Sequence, residues 1–579
     1  MKDYFKNQPK PVSSKVETFP VRTRKSLFRY FPLASLLFSF VIVTVLHLPL
    51  SVFPMHTDQG VWATAGMAIN SDKVFFKDYK HFNLPGLGFS YAIALDLVDS
   101  PQEASMLVNL AGSILIISGI YLLLGLTVNK IAAAWAVLIF SILWPTHILH
   151  FHIAQKDFMA AFGLLLGTWL SARAVTKSKW QKSSIFLSGL MVGISIMYKP
   201  VFGITLILLA MTFILRFIFA SDSPSPDDKM SLYELIRNLA LLTAGTMTVA
   251  LLFLIYLYQG DALSDCYNGV FVFAPIYAQI SRLPVFQQIY FLLVHSFMLC
   301  KPFDNLAIVH LLLWLLILLI GFGSLFKKGF VKMRLWLSIP FTTALFTYFI
   351  QGKSFGYYNI PWKLCLIMTA GCGLSYLYKQ SENNPGRSEL RKAVIFTLFI
   401  VLIFGRCLLF SQYARVEVPV WQGKIDRGTY LKRYFNWVKD AEGYPSDYNM
   451  EKLGHWIKEN SLPHEKILVW GLGCQLYALS ERLYATHSPF DLILTSNLRQ
   501  SPKARAWQKT LREEFITQLA EEKPRFIVLL ADDFTPVESI SSKEAVKLIP
   551  GFQTLLNNTY AKEFSLDKFE IYRLKTDKQ

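Results

Sequence analysis

The chain has 579 residues, of which 53% are hydrophobic and 17% charged, with a formal net charge of +18. Soluble domains carry about 25% charged residues, so a chain of this length lacks the charge to coat three or four soluble domains. The same composition excludes a disordered chain, a collagen-like fibre and a disulfide scaffold: too much is apolar, glycine has no period, and the cysteines number six.

Residues 1–30 form a basic segment with eight Lys or Arg before Phe31, which reads as cytoplasmic. Apolar runs of membrane-crossing length then follow near 31–53, 104–128, 131–149, 158–175, 184–198, 201–220, 238–258, 304–326, 335–350, 360–378 and 393–411. These eleven runs predict an α-helical polytopic membrane domain over 31–411. A further stretch at 286–300 reads either as a twelfth span or as a helix at the interface. A span there would turn Lys327 and Lys328 outward, so it is read as non-spanning. Eleven spans place Arg173–Lys182, Lys327–Arg334 and Lys379–Lys392 inside, with 24 basic residues on the cytoplasmic side against 9 on the outer side, as the positive-inside rule requires. The first run is long and has no small-residue cleavage site, so it reads as a span rather than a signal peptide.

From 412 to 579 there are 24 basic and 22 acidic residues, the balance of a soluble domain. The basic excess therefore falls almost wholly between the apolar runs. There it sets membrane orientation, and no nucleic-acid partner is expected. An odd number of spans puts this C-terminal domain outside a plasma (inner) membrane. Its pattern is α/β: helices at Tyr448–Ser461 and Ser501–Glu522, strands at Lys466–Gly471, Arg525–Ala531 and Phe569–Lys575. Gly471 and Gly473 lack the rest of a dinucleotide fingerprint and read as a tight turn between strand and helix.

The predicted outer segments hold the candidate chemistry. The loop Pro54–Glu103 begins HTDQG and continues FKDYKHFNLPGLGFSY. Asp58 stands at the end of the first span, where partial burial can raise a carboxylate's pKa and make it a general base; the simpler alternative is a solvated or helix-capping aspartate. Asp157, in HIAQKDFMAAFG, lies where an outer loop meets a span; ionisable groups at membrane depth are costly and tend to be functional, although Asp157 also fits an N-cap. His147, His150 and His152 stand near enough to suggest a metal site with Asp157, but their irregular spacing favours ordinary surface hydrogen bonding, and no metal is assigned. Asp78, Lys80 and His81 occupy the first loop. Lys199, Arg282, Lys301 and Lys353 recur on the outer side against the orientation rule, as partners for a lipid phosphate would, or as snorkelling cations. Tyr357, Tyr358 and Trp362 read as an aromatic belt or a sugar-facing wall. Cysteines 266, 300, 365, 372, 407 and 474 contain no CxxC, so neither a structural disulfide nor a zinc site is expected.

Several stretches together resemble one known group: DQGVWATAGMAI with FFKDY and LPGLGFSYAIAL, AQKDFMAAFGLLLGTWL, MYKPVFG, QGKSFGYYNIP, and LGHWIKENSLPHEKILVWGLGCQLYALSERLYA. In order and sidedness they resemble the polytopic GT-C glycosyltransferases, especially the bacterial branch related to protein O-mannosyltransferases and the lipid A aminoarabinose transferase (glycosyltransferase family 39-like). The resemblance implies transfer of a sugar from a polyprenyl-phosphate donor to an acceptor hydroxyl on a cell-envelope glycan, lipid or protein, without a soluble cofactor. It implies Asp58 as general base, Asp157 as its support or as the group that orients the acceptor, and Lys353 on the lipid phosphate. One departure is visible: relatives carry a lysine just before the proline motif, where this chain reads HFNLPGL, leaving Lys80 or His81 to substitute. The alternative function is a transporter or flippase of lipid-linked sugars, which should show internal repeats and broken midplane helices; the chain shows no repeat.

Overall fold

The computed structural model describes residues 24–148, 150–176, 180–220, 230–298, 307–325, 331–382, 395, 397, 413–434, 445–498, 501–533 and 540–575. The membrane part runs α1 (Arg24–His47), α2 (Thr57–Asn70), α3 (Gly86–Leu95), α4 (Pro101–Thr127), α5 (Lys130–His147), α6 (Lys156–Thr176), α7 (Gln181–Tyr198), α8 (Ile204–Ala220), α9 (Leu232–Gln259), α10 (Val285–Met298), α11 (Ala307–Leu325), α12 (Val331–Gln351) and α13 (Ile360–Glu382). Ten of the eleven apolar runs fall on these helices; the eleventh, 393–411, lies outside the described residues except for 395 and 397. Among the described residues, six helical stretches are long and apolar enough to cross a membrane, and four shorter apolar helices accompany them. The chain is a multi-pass membrane protein.

Helix contacts rest on small residues, as membrane helices demand where no hydrophobic effect drives them together. A Cβ on Gly189 of α7 would lie 2.0 Å from the Leu242 carbonyl, and one on Gly245 of α9 would lie 2.0 Å from that of Phe186. Only paired glycines let these two backbones meet. In contrast, α9 turns Leu251, Leu252, Leu254 and Ile255 outward, the face a lipid-exposed helix presents.

The first loop is not irregular. It contains α2 and α3, and α2 starts with His56 as N-cap: the imidazole accepts from the Asp58 amide at 3.3 Å while the Gln59 side chain accepts from the His56 amide at 3.0 Å. Residues 286–298 of the ambiguous stretch lie in α10, whose 14 residues extend about 21 Å, short of a bilayer core of about 30 Å; 299 and 300 lie outside the described residues. Val285, Phe286, Ile289, Tyr290 and Leu293 are exposed on it, while Gln288 is buried.

The C-terminal module carries α14 (Asp447–Glu459), α15 (Gln475–Ser480), α16 (Pro502–Glu522) and α17 (Phe552–Thr559) around strands β1 (Ile467–Trp470), β2 (Phe526–Leu530), β3 (Tyr560–Leu566) and β4 (Phe569–Leu574). The sheet order is β1-β2-β4-β3, with β1 and β2 parallel and the rest antiparallel. Three strands are those read from the sequence, β3 is additional, and Gly471 (φ 123°) makes the turn from β1 toward α15.

This module sits directly on the first loop. Thr64 of α2 donates to the Cys474 carbonyl at 3.1 Å, and Gln475 reaches Thr57 at 3.3 Å. The Lys80 amide donates to the His487 carbonyl at 2.7 Å, and Arg427 donates to the Val52 carbonyl at 2.9 Å. Asp58 and the module therefore share one face of the molecule.

Candidate active site

The segment Phe151–Asp157 joins the two carboxylates. The Gln155 amide donates to Asp58 Oδ2 at 3.3 Å and to the Phe151 carbonyl at 2.8 Å, and Gln155 itself is buried. Two residues on, Asp157 is fully buried. It is not an N-cap: α6 already begins at Lys156, and the carboxylate is held by an ion pair with Lys199 and by a hydrogen bond from Gln351 at 3.3 Å. Among the described residues Asp58 forms no such ion pair, although its charge acts on Lys156 and Lys199. It is half-buried in the first turn of α2.

Three lysines surround these acids. Lys199 ends α7, and its ammonium also lies 4.1 Å from the Tyr358 ring centre. Burial lowers its pKa, and the Asp157 carboxylate opposes that shift. Lys353 follows Gly352, whose φ of 63° makes the turn after α12. It is buried rather than free in a loop: its ammonium donates to the Tyr277 carbonyl at 3.2 Å and lies 3.7 Å from the Tyr277 ring centre. Burial, with the charges of Lys156 and Lys199, pushes its pKa down to about 8. Lys156 lies over the Trp62 ring at 5.3 Å. Neither Lys156 nor Lys353 forms an ion pair with a described carboxylate. Tyr357 and Tyr358 pack edge to face at 4.9 Å and stand in the field of both Asp58 and Asp157.

Other residues singled out in the sequence lie elsewhere. Lys80 is buried in an ion pair with Asp265 at 2.7 Å, so its charge is already matched. Asp78 accepts from the Val74 amide at 2.8 Å and faces His487 at 3.6 Å, joining the loop to the C-terminal module. His81 is enclosed by Trp62, Phe75, Tyr79, Phe82 and Phe490 and accepts from the Asn83 amide at 2.9 Å. Burial, reinforced by the Lys156 charge, pushes its pKa down to about 3, so it is neutral. Arg282 is exposed beside Gly352. Lys301 lies outside the described residues, as do the side chains of His147 and His150. Among the described residues no three metal-binding side chains converge, and Cys266, Cys365, Cys372 and Cys474 are free thiols.

The sequence reading missed Gln155, Lys156, Gln351 and Tyr277. The first three lie inside stretches already singled out, AQKDF and QGKSF, beside the residues chosen; Tyr277 carries no local signal at all.

The fold is of the GT-C type, a polytopic helical bundle bearing an α/β module. Within that type the chain resembles the protein O-mannosyltransferase and aminoarabinose transferase group. Residues 85–226 match the family described as dolichyl-phosphate-mannose-protein mannosyltransferase. ArnT from Cupriavidus metallidurans bound to undecaprenyl phosphate aligns at a TM-score of 0.56 and 13% identity, over 93% of this chain and 97% of that chain. Its apo form gives 0.55 and 12%, over 92% and 96%. The oligosaccharyltransferase AglB from Archaeoglobus fulgidus, in complex with an inhibitory peptide and a dolichol-phosphate, gives 0.50 and 12%, over 86% and 69%. No curated protein sequence matches.

Proposed function

We propose that the chain is a membrane glycosyltransferase that moves a sugar from a polyprenyl-phosphate donor to an acceptor hydroxyl at the outer face of the plasma membrane. The observation that carries this reading is the make-up of the site: a half-buried carboxylate, Asp58, that forms no ion pair among the described residues, beside half-buried Lys156 and buried Lys353, neither of which forms one either. Such a site has a proton acceptor and an unfilled anion position. The family match and the likeness to ArnT and AglB support the same class.

In this reaction the acceptor oxygen bonds to the anomeric carbon as its proton passes to Asp58. The bond from that carbon to the phosphate oxygen breaks, and polyprenyl phosphate leaves with the electron pair. Lys353 and Lys156 stabilise the charge that develops on it. Lys199 is matched by Asp157, so that pair fixes the α6–α7 wall rather than supplying a free cation. The N-terminus lies in the cytoplasm and the C-terminal module outside. The acceptor is a cell-envelope glycan, lipid or protein.

The test is incubation of purified protein with radiolabelled polyprenyl-phosphate sugars and a cell-envelope extract. Lys353→Ala should weaken donor use about tenfold to a hundredfold, because a charged hydrogen bond contributes about 1.5–3 kcal/mol. Unchanged turnover and donor affinity would remove Lys353 from the site; no transfer from any donor would remove the function.

A further inference from the structure

The turn that carries Gln155 is held at a single peptide unit. Ala154 adopts a φ of 50°, a left-handed conformation that alanine rarely takes, so the surroundings must impose it. The peptide unit between Ile153 and Ala154 is bonded at both ends. The Ile153 carbonyl accepts from the Gln59 side-chain amide at 3.2 Å, and the Ala154 N–H donates to Asn109 Oδ1 at 3.2 Å. Both side chains are buried, Asn109 completely.

Each of those amides is oriented from behind. Gln59 uses its oxygen to accept from the His56 amide at 3.0 Å, which leaves its NH₂ for Ile153. Asn109 stands on α4 beside His47 of α1, with its Nδ2 2.9 Å from His47 Nε2. His47 Nδ1 lies 2.6 Å from the Val43 carbonyl. A carbonyl only accepts, so Nδ1 carries the proton and Nε2 accepts from the Asn109 NH₂. The Asn109 oxygen is thereby turned toward Ala154. A flipped amide would set oxygen against the His47 lone pair and NH₂ against the Ala154 N–H.

These bonds close a ring around the candidate base. Asp58 and Gln59 are successive residues of α2, Gln59 holds Ile153, and the chain runs through Ala154 to Gln155. The Gln155 side-chain amide returns to Asp58 Oδ2 at 3.3 Å and also donates to the Phe151 carbonyl at 2.8 Å. With its NH₂ engaged by both, the Gln155 side chain is tied to this turn. Asn109 enters from outside the ring and fixes its most strained member. Without Asn109 the Ala154 N–H would be a buried donor lacking a partner, and the turn would relax toward a conformation that alanine prefers, taking Gln155 with it.

We propose that Asn109, with Gln59, is a positioning residue for sugar transfer. The two hold Gln155 against one oxygen of Asp58, so that the carboxylate presents its other oxygen to the acceptor hydroxyl. This role rests on the reading of Asp58 as the general base of a glycosyl transfer, and Asn109 acts through Gln155 rather than on the substrate.

The test uses the full chain in detergent and measures kcat and donor KM by radiolabel transfer, alongside thermal unfolding. Asn109→Leu should lower kcat by about tenfold or more, because a small misplacement of a reacting group is costly. Donor KM should stay within about twofold of wild type, since the donor phosphate is held from another segment by Lys353. Gln155→Leu should lose a similar factor. The decisive comparison combines them. In the Gln155→Leu background Asn109→Leu should cost less than about twofold in kcat, while still lowering the unfolding midpoint as it does in wild type. An asparagine that only supports the fold would cut activity by the same factor in both backgrounds, and that result overturns the role. Unchanged kcat in Asn109→Leu or in Gln155→Leu overturns it as well. Asn109→Asp keeps an oxygen toward Ala154 and should retain more transfer than Asn109→Leu; equal losses would remove the Ala154 bond from the account. Asn109→Ala carries the same cycle if Asn109→Leu does not fold. Hydrogen exchange in the wild type needs no variant: the Ala154 amide should be strongly protected, and exchange at the rate of an open loop overturns the clamp. Absence of transfer by the wild type overturns the transferase reading and this role with it, whereas wild-type transfer with any of the contrary results above overturns the role alone.

Discussion

At the scale of single residues the two aspartates differ in what holds them, and that difference separates their expected behaviour. Among the described residues, the Asp58 carboxylate is hydrogen-bonded by the Gln155 amide and carries no ion pair. Asp58→Asn keeps an acceptor oxygen for that amide but cannot take a proton, so transfer should fall by about 10²–10⁴-fold with the unfolding midpoint nearly unchanged. Activity retained in radiolabel transfer would make Asp58 structural. Asp157→Asn instead strands Lys199 in a buried site. Removing one partner of such a pair costs about 3–5 kcal/mol, so the unfolding midpoint should drop, and Lys199→Gln in the same background should restore part of it. A fully stable Asp157→Asn protein would contradict this role. His81 gives a third outcome. In the unfolded chain its imidazole titrates near 6.5, while in the fold burial holds it near 3. Between those values the unfolded state binds a proton that the folded state does not. Its contribution is therefore complete above pH 6.5, and stability falls as pH drops toward 3, by at most about 1.4 kcal/mol per unit. His81→Phe, which keeps the ring among its aromatic neighbours, should flatten that loss relative to wild type in unfolding measured from pH 4 to 8; an unchanged slope would assign it to other groups. Asp58, Asp157 and His81 stand out in a sequence because ionisable side chains are rare in apolar surroundings. The Gln155 contact does not: glutamine has no charge signature, and its partner lies 97 residues away.

Among the elements, α2 is where the membrane part meets the α/β module. A Cβ on Gly60 would fall 2.4 Å from the Gln475 backbone nitrogen at the start of α15. A backbone atom cannot yield as a side chain does, so Gly60→Val should separate the two surfaces at a cost of about 1–3 kcal/mol. The expected result is faster protease cleavage between the bundle and the module, with transfer reduced and the module's own sheet retained. Protease resistance equal to wild type would show that this contact does not hold the module. Neither α2 nor β3 was legible as an element. The α2 N-cap is a histidine, outside the Ser, Thr, Asp and Asn preference that marks helix starts. The strand β3 reads YAKEFSL and is largely exposed along its length, so it carries little apolar alternation; its hairpin with β4 defines it instead. Helices such as α4 and α9, and strands such as β2 with its five consecutive buried residues, were plain because burial on both faces, or exposure to lipid, leaves an unbroken apolar run.

For the whole molecule, sidedness is the property on which the proposed reaction turns, and the structure reduces it to a single measurement. The C-terminal module contacts α2 through Thr64–Cys474 and Gln475–Thr57, and the loop beyond it through Lys80–His487. Asp58 lies in the first turn of that same helix. The face of the membrane that receives the module is therefore the face that receives the candidate base, whatever number of spans lies between them. The basic asymmetry of the loops argues for the outside. An alkaline phosphatase domain, active only outside the cytoplasm, should be active when fused after Gln579, and a green fluorescent protein exported unfolded to the same position should be dark. The opposite pair of results would place Asp58, Lys156 and Lys353 in the cytoplasm together. The donor would then have to present its phosphate at the inner leaflet, and transfer at the outer face would be excluded for this chain even if the chemistry assigned to Asp58 were right.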